Sequence, residues 1–313
     1  MVRLTATLAT LALTYYVVVA ACGGPAPTAT LEPTATPAPT STPPPTPMPT
    51  PTSAPTPTAT PYPPSTVVTF PDENMEQAVR DILGKLPDED ITVADLAGLT
   101  GIAANGRDIY HIRGIEHCVG LAALDLSDNE VRDLFPLSSL TRLMYLSIER
   151  NRVSDVSPLS SLTNLENLSL AENQIGDLSP LSFLTNLTVL GLSNNHISDF
   201  SSLSSLTNLV VLDLSDNHVR DLSPLTSLTN LNMLYLRNNP LDDLSPLASL
   251  TGLSYLYLGE NGISDLSSLA SLTGLTYINL HQNQVSDLSP LTSLEDLYGL
   301  ILGENQISDL SPL

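Results

Sequence analysis

The sequence predicts an α/β solenoid. Its stacked coils share a parallel β-sheet on a concave face, make short 3-10 turns on the convex face, and begin at an N-terminal helical cap. Three observations predict this fold. From Leu121 onward the chain repeats every 22 residues without a slip. Two polar residues recur in phase with that period, Asn at Asn129, Asn151, Asn173, Asn195, Asn217, Asn239, Asn261, Asn283 and Asn305, and Asp at Asp133, Asp155, Asp177, Asp199, Asp221, Asp243, Asp265, Asp287 and Asp309. The third is composition: the 313 residues are 42% hydrophobic yet include no Trp and only four Phe. Leucine supplies much of that share, which suits many thin, similar layers rather than one irregular core.

Residues 1–22 read as an address. A basic Arg3 precedes an uncharged stretch from Leu4 to Ala21, which ends Val19-Ala20-Ala21-Cys22-Gly23-Gly24. The stretch is about the length of a membrane-spanning helix, so a plain secretory signal and an uncleaved span are both alternatives. Small residues before Cys22 and a flexible tract directly after it resemble the bacterial lipoprotein signal. That resemblance implies cleavage before Cys22 and acylation of its thiol and new amino group. Several acyl chains together anchor stably, where one binds only marginally. The expectation is an extracytoplasmic protein, lipid-anchored to a bacterial membrane.

Residues 23–66 form the linker. Its stretch from 25 to 66 interleaves 16 prolines with Thr, Ala and Ser and carries one charge, at Glu32. Such a tract has too little apolar content to fold and favours polyproline II. Extended, it reaches on the order of 130 Å. A stalk is the expectation, since the rival, a proline-rich ligand, lacks a singled-out basic residue.

Residues 67–98 are expected to cap the solenoid. Phe70-Pro71-Asp72-Glu73-Asn74 opens a helix with Met75, Val79, Ile82 and Leu83 on one face, and Gly84 ends it. Without such a cap the first coil exposes its apolar side to water.

Residues 99–313 hold one degenerate repeat and nine regular ones, the last incomplete. In the degenerate unit Leu99, Ile102, Ala104, Ile109, Ile112, Ile115 and Cys118 keep the phase, while Arg107 stands in the Asn column and His111 in the Asp column. Cys118 takes the slot that Leu140 fills next, so it reads as a small buried hydrophobe. One regular unit spells the pattern. Leu165, Leu168, Leu170, Asn173 and Ile175 give LxxLxLxxNxI, then comes Asp177-Leu178-Ser179-Pro180-Leu181. Alternate leucines point one way, as a strand requires. A buried Asn amide at the exit of each strand satisfies turn backbone groups, so a column of them makes a ladder. The Asp column precedes Leu-Ser-Pro-Leu, where a carboxylate caps a short helical turn and proline costs no hydrogen bond. Ser202 and Ser268 replace that proline in two units.

This pattern resembles the leucine-rich repeats, in particular the 22-residue class of the bacterial internalins, over roughly residues 70–313. The resemblance implies a right-handed coil and an N-terminal cap. Internalins commonly continue into further domains and a wall-anchoring tail, so the adhesion role transfers only weakly. The ninth repeat stops at Leu313, an end expected either to continue in a longer protein or to pack on another copy.

The formal charge is −22, from 33 acids and 11 bases. Nine acids are the structural Asp column, and 24 remain without them. Such a surface repels polyphosphate, so nucleic acid is not an expected partner. Outward positions on the strands are free of core duty, and there Tyr145, Met233, Tyr235, Tyr255, Tyr257 and Tyr277, with His281, form the candidate partner-binding set. Four of the ten tyrosines fall on three adjacent strands. Tyrosine offers rigid contact area with a polar tip, although aromatics also simply suit strands. A protein ligand is the first expectation, a glycan stacked on the tyrosines the second, and a structural role without a ligand the third. No phosphate loop or nucleophile elbow is present, and no cofactor or enzymatic activity is expected. His196 and His218, one repeat apart, are the one pair near enough for a two-histidine metal site.

Overall fold

The computed structural model describes residues 62–313. Two helices come first, α1 (Glu73–Leu83) and α2 (Val93–Ala97). Ten three-residue strands follow: β1 (Gly101–Ala103), β2 (Ala123–Asp125), β3 (Tyr145–Ser147), β4 (Asn167–Ser169), β5 (Val189–Gly191), β6 (Val211–Asp213), β7 (Met233–Tyr235), β8 (Tyr255–Tyr257), β9 (Tyr277–Asn279) and β10 (Gly299–Ile301). They form one parallel sheet in sequence order, each coil returning through a 3-10 turn such as Ser179–Phe183. The register never shifts: Leu124 pairs with Leu146 and Leu146 with Leu168. This is the solenoid that the period predicts.

Each coil donates the same leucines to a single core. Leu165, Leu170, Leu178, Leu181 and Leu184 are buried, as are their equivalents from Leu121 to Leu294, whereas Leu310 and Leu313 of the last coil are exposed. One coil cannot dry these side chains alone; its neighbours complete the burial, so stability is shared between adjacent units. Cys118 is fully buried among them, and burial, with Glu116 nearby, pushes its thiol up to about 12.

The Asn column is the polar spine of this core. The Asn151 amide nitrogen reaches the carbonyls of Leu126, Ile148 and Glu149 at 2.9–3.1 Å, and its oxygen accepts from the Val131 N–H at 2.9 Å. Asn173, Asn195 and Asn217 repeat the arrangement. One coil departs from it. Leu241 N–H turns to the Asn239 carbonyl at 2.9 Å, and Asn261 accepts instead from Asn239 N–H at 2.7 Å. Pro240 lies between, with no N–H and a fixed φ, so this turn cannot follow the others.

The residue before each column Asn adopts the left-handed conformation. From Asp128 to Glu304 these nine residues have φ of 52–59°. Asn194 and Asn238 tolerate it readily, while Arg150, Glu172 and Glu260 hold it at a cost that the ladder offsets.

Each Asp of the second column accepts the N–H of the residue two positions on, as from Asp177 to Ser179 at 2.8 Å. The carboxylate therefore sits one residue ahead of the first turn's cap position, closing the turn from outside.

Helix α1 begins and ends where its local signals place it, and its predicted face turns inward except at Ile82, with Met75 and Val79 buried and Leu83 packed against the core. Asp72 accepts from Asn74 and Met75 at 3.0 Å, and Gly84 ends α1 with φ of 67°. Met75, Ala78 and Val79 are buried, whereas Ile82 is 41% exposed. Arg80 takes a buried place instead, its guanidinium bonded to Glu76 and to the carbonyls of Leu86 and Glu89. α2, closed by a Thr92–Asp95 capping box, is a second cap element that the sequence reading had not assigned.

Candidate partner-binding face

In every strand the middle residue points into the core and the two flanking residues project outward. Stacking in register turns these into two columns along the concave face. The first runs Tyr145, Asn167, Val189, Val211, Met233, Tyr255, Tyr277, Gly299; the second runs Ser147, Ser169, Gly191, Asp213, Tyr235, Tyr257, Asn279, Ile301.

Four tyrosines meet on β7, β8 and β9. Tyr235 and Tyr257 stack with ring centroids 4.4 Å apart and planes 14° from parallel. Tyr257 and Tyr277 lie 5.1 Å apart with a tilt of 37°. Tyr255 is 6.4 Å from Tyr277. Met233 joins through its sulfur, 4.0 Å from the Tyr235 hydroxyl. Glycine makes room at the far edge. A Cβ on Gly299 would collide with the Tyr277 ring, and one on Gly303 would crowd the His281 imidazole at 3.0 Å.

The structure places the residues of the predicted set in four different settings. Met233, Tyr235, Tyr257 and Tyr277 are half-buried and form one continuous platform. Tyr255 is buried at 8% exposure, so this outward position is not left open; its register neighbours are Met233 and Tyr277. Its hydroxyl lies 3.3 Å from that of Tyr298, a residue sequence reasoning missed because it precedes β10 and falls in neither outward column. His281 lies at the platform's edge with Nδ1 3.0 Å from the Gly303 carbonyl.

Tyr145 is elsewhere. It stands on β3, four strand steps from Met233, or about 19 Å. Burial and the neighbouring Asp125 carboxylate push its hydroxyl up to about 12. Its surroundings are charged: burial raises Glu149 above the usual carboxylate range despite nearby Arg150, and Arg150 pairs with Glu172 at 2.9 Å and Asp128 at 3.4 Å.

Between the two tyrosine regions stands Asp213, opposite Tyr235 in the β6–β7 register. Burial raises its carboxyl above the usual range, even though it accepts the Ser215 N–H at 2.9 Å. The rings of His196 and His218 stack 6.4 Å apart at 6°. Among the described residues no group of three or more His, Cys, Asp or Glu is placed to hold a metal ion. Cys22 lies outside the described residues. Within them, no helix is long and apolar enough to cross a membrane.

Comparison with known proteins agrees with this architecture. The family model for leucine-rich repeats in two copies matches residues 143–183, 163–205, 185–227, 207–249, 229–271 and 251–293. An internalin of Listeria monocytogenes, InlF, is 39% identical with a TM-score of 0.76, over 78% of this chain and 72% of that one. Internalin C2 of the same species is also 39% identical, with a TM-score of 0.66 over 67% of this chain and 94% of its own. A plant peptide hormone receptor, RGFR1 in complex with RGF2, shares the fold at 22% identity and a TM-score of 0.59, over 69% and 38% of the two chains. No curated protein sequence matches the chain. No enzyme family is indicated by these matches. Period, ladder, register and these likenesses agree: the chain is a leucine-rich-repeat protein and belongs to the internalin family.

Proposed function

We propose that this protein binds a protein partner through the tyrosine platform on β7–β9 while anchored to a bacterial membrane by lipid on Cys22. The observation that carries the reading is the platform itself. Four large, rigid side chains converge on the concave face where the fold's own core does not require them all. Tyrosine is enriched at binding hot spots because it contributes much contact area for few rotatable bonds. The plant receptor, which has this fold, is in complex with RGF2.

The stack itself favours a protein over a glycan. Tyr235 and Tyr257 lie face to face at 4.4 Å, so the ring surfaces a sugar would cover are partly turned on each other. Residues 1–22 act as signal and lipobox and 23–66 as a stalk, with the cap and repeats held beyond it.

The test begins with a pull-down from native envelope using the chain from Val67 onward. With the partner in hand, Tyr257→Ala is expected to weaken binding about tenfold or more, as hot-spot truncations do, with thermal stability nearly unchanged. Equal binding by wild type and variant discards the platform. Added salt weakens binding to a basic protein but leaves neutral-glycan stacking unaffected, which separates those two ligands. The anchor is read independently: a metabolic fatty-acid label enters the wild-type protein and not Cys22→Ser.

A further inference from the structure

We propose that the concave face is built to receive an arginine side chain of its partner, seated against Tyr235 and paired by the Asp213 carboxylate. The inference rests on the proposed binding face and names the chemistry that it recognises.

Three placements carry it. Asp213 and Tyr235 are direct register neighbours on β6 and β7, about 4.8 Å apart by strand spacing. Tyr235 stacks on Tyr257, its neighbour on β8, which turns its opposite ring face toward β6, the strand of Asp213. On the other flank of Asp213 the register partner is Gly191, which places no side chain beside it on the strand; the Ser193 hydroxyl, from the end of that coil's strand, bonds the carboxylate. A planar cation entering there meets an aromatic face on one side and a carboxylate beside it.

The charge of the face selects the sign of the ligand. Neither outward column contains a Lys or Arg from β1 to β10. The nearby Arg237 is already engaged, with Glu260 at 2.5 and 2.9 Å. No ion pair among the described residues includes Asp213. Ser215 and Ser193 hydrogen-bond the carboxylate but bring no positive charge, so its desolvation remains a net cost to the free protein, and a cation from the partner relieves it. The raised Asp213 carboxyl expresses the same cost.

Arginine fits better than lysine. Its guanidinium is flat, stacks on an aromatic ring, and offers parallel N–H donors that match a carboxylate. It also sheds water more readily than an ammonium, which suits a half-buried slot.

The test uses the full-length protein with labelled tyrosines and two blocked peptides, Ser-Tyr-Arg-Tyr-Ser and the same sequence with citrulline, which keeps shape and removes charge. Titration followed by NMR should move the Tyr235 and Tyr257 ring resonances. The arginine peptide should bind about tenfold more tightly than the citrulline peptide, as loss of a close charge pair dictates. Asp213→Asn should bring the two peptides to equal affinity while leaving the free protein's ring resonances in place. Equal affinity in the wild type, a preference that survives Asp213→Asn, or no response to the arginine peptide at millimolar concentration each overturns the arginine slot. Tyr257→Ala tells the two levels apart. If it weakens both peptides while Asp213→Asn does nothing, the face stands and the slot falls; if peptides perturb only residues off the face, both fall.

Discussion

Gly299 shows how single residues shape the platform. The Tyr277 ring leans over its bare backbone, in space that a Cβ would occupy. Gly299→Ala therefore pushes Tyr277 aside. The expected result is a stability loss of about 1 kcal/mol from local overpacking and a several-fold loss of partner binding, measured side by side with Tyr257→Ala. Asn173 tests the spine. Its amide serves the carbonyls of Ile148, Leu170 and Ala171 and the N–H of Val153. Asn173→Ala strands buried backbone groups and should cost about 2–4 kcal/mol in denaturant unfolding. Cys118 makes the opposite point, a residue whose chemistry the fold suppresses. With its thiol pushed up to about 12, the thiolate fraction at pH 8 is about one in ten thousand, so alkylation should be negligible until denaturant is added. Rapid alkylation of the folded chain would contradict that burial. The outward columns were legible in the sequence because a period-two pattern fixes which strand residues face out. The depth of Tyr255 and the part played by Tyr298 were not, since both depend on how far neighbouring rings lean across the strands. Tyr145 could be separated from the platform by counting coils alone, for four repeats lie between it and Met233.

Helices and turns are held by carboxylates, which makes each element sensitive to acid in a known direction. Burial pushes the Asp72 carboxyl up, but N–H donors from His111, Tyr110, Met75 and Asn74 together bring it below the ordinary value. It thus fastens α1 to the first coil as well as capping the helix. Asp72→Ala should cost about 2–3 kcal/mol, beyond an ordinary cap, because two of those donors belong to another element. In the Asp column, the backbone and side chain of the following Ser lower Asp155, Asp177, Asp199, Asp221 and Asp287, and Asp95 of the α2 capping box falls to about 2 through Thr92 and Lys85. Groups depressed in the folded state stabilise it fully above their unfolded value of 3.8 and lose that contribution as pH falls through the folded values. Burial raises Glu149 and Asp213, so their ionisation opposes folding near neutrality and protonation relieves it. Stability should therefore rise modestly as pH drops from neutral toward the ordinary carboxylate range, then collapse between about pH 4 and 2. A thermal midpoint that falls steadily from pH 7 to 5 would contradict this balance. The bounds of α1 were legible because Asp72 and Gly84 are strong local signals. Most of its buried face was too, but the burial of Arg80 was not, because Glu76 and two carbonyls that no local pattern reveals make it tolerable inside. The five-residue α2 is too short to show a helical period.

A stack of equivalent coils makes a prediction about the molecule that no compact globule would share. Contacts run between neighbours, so total stability is close to a sum over units and interfaces. Removing residues 164–185 joins Thr163 to Asn186 and keeps every column in phase. That deletion should give a folded protein with one strand fewer, an unchanged far-ultraviolet signal per residue and a modestly lower denaturation midpoint. Removing only residues 164–174 puts the two halves out of phase, faces leucines to water and should abolish cooperative unfolding. The first deletion also interrogates the site. It draws Tyr145 toward the β7–β9 platform by one strand step, about 4.8 Å, and leaves the contacts among Tyr235, Tyr255, Tyr257 and Tyr277 untouched. A ligand held by the platform binds the shortened protein with the same affinity. A ligand that bridges from Tyr145 to the platform meets two anchors at the wrong separation, and its affinity drops severalfold or more. Unchanged binding confines recognition to β7–β9. Weakened binding by a shortened protein that remains fully folded shows that Tyr145 and the platform act as one surface, and that the length of the solenoid is itself part of what the partner reads.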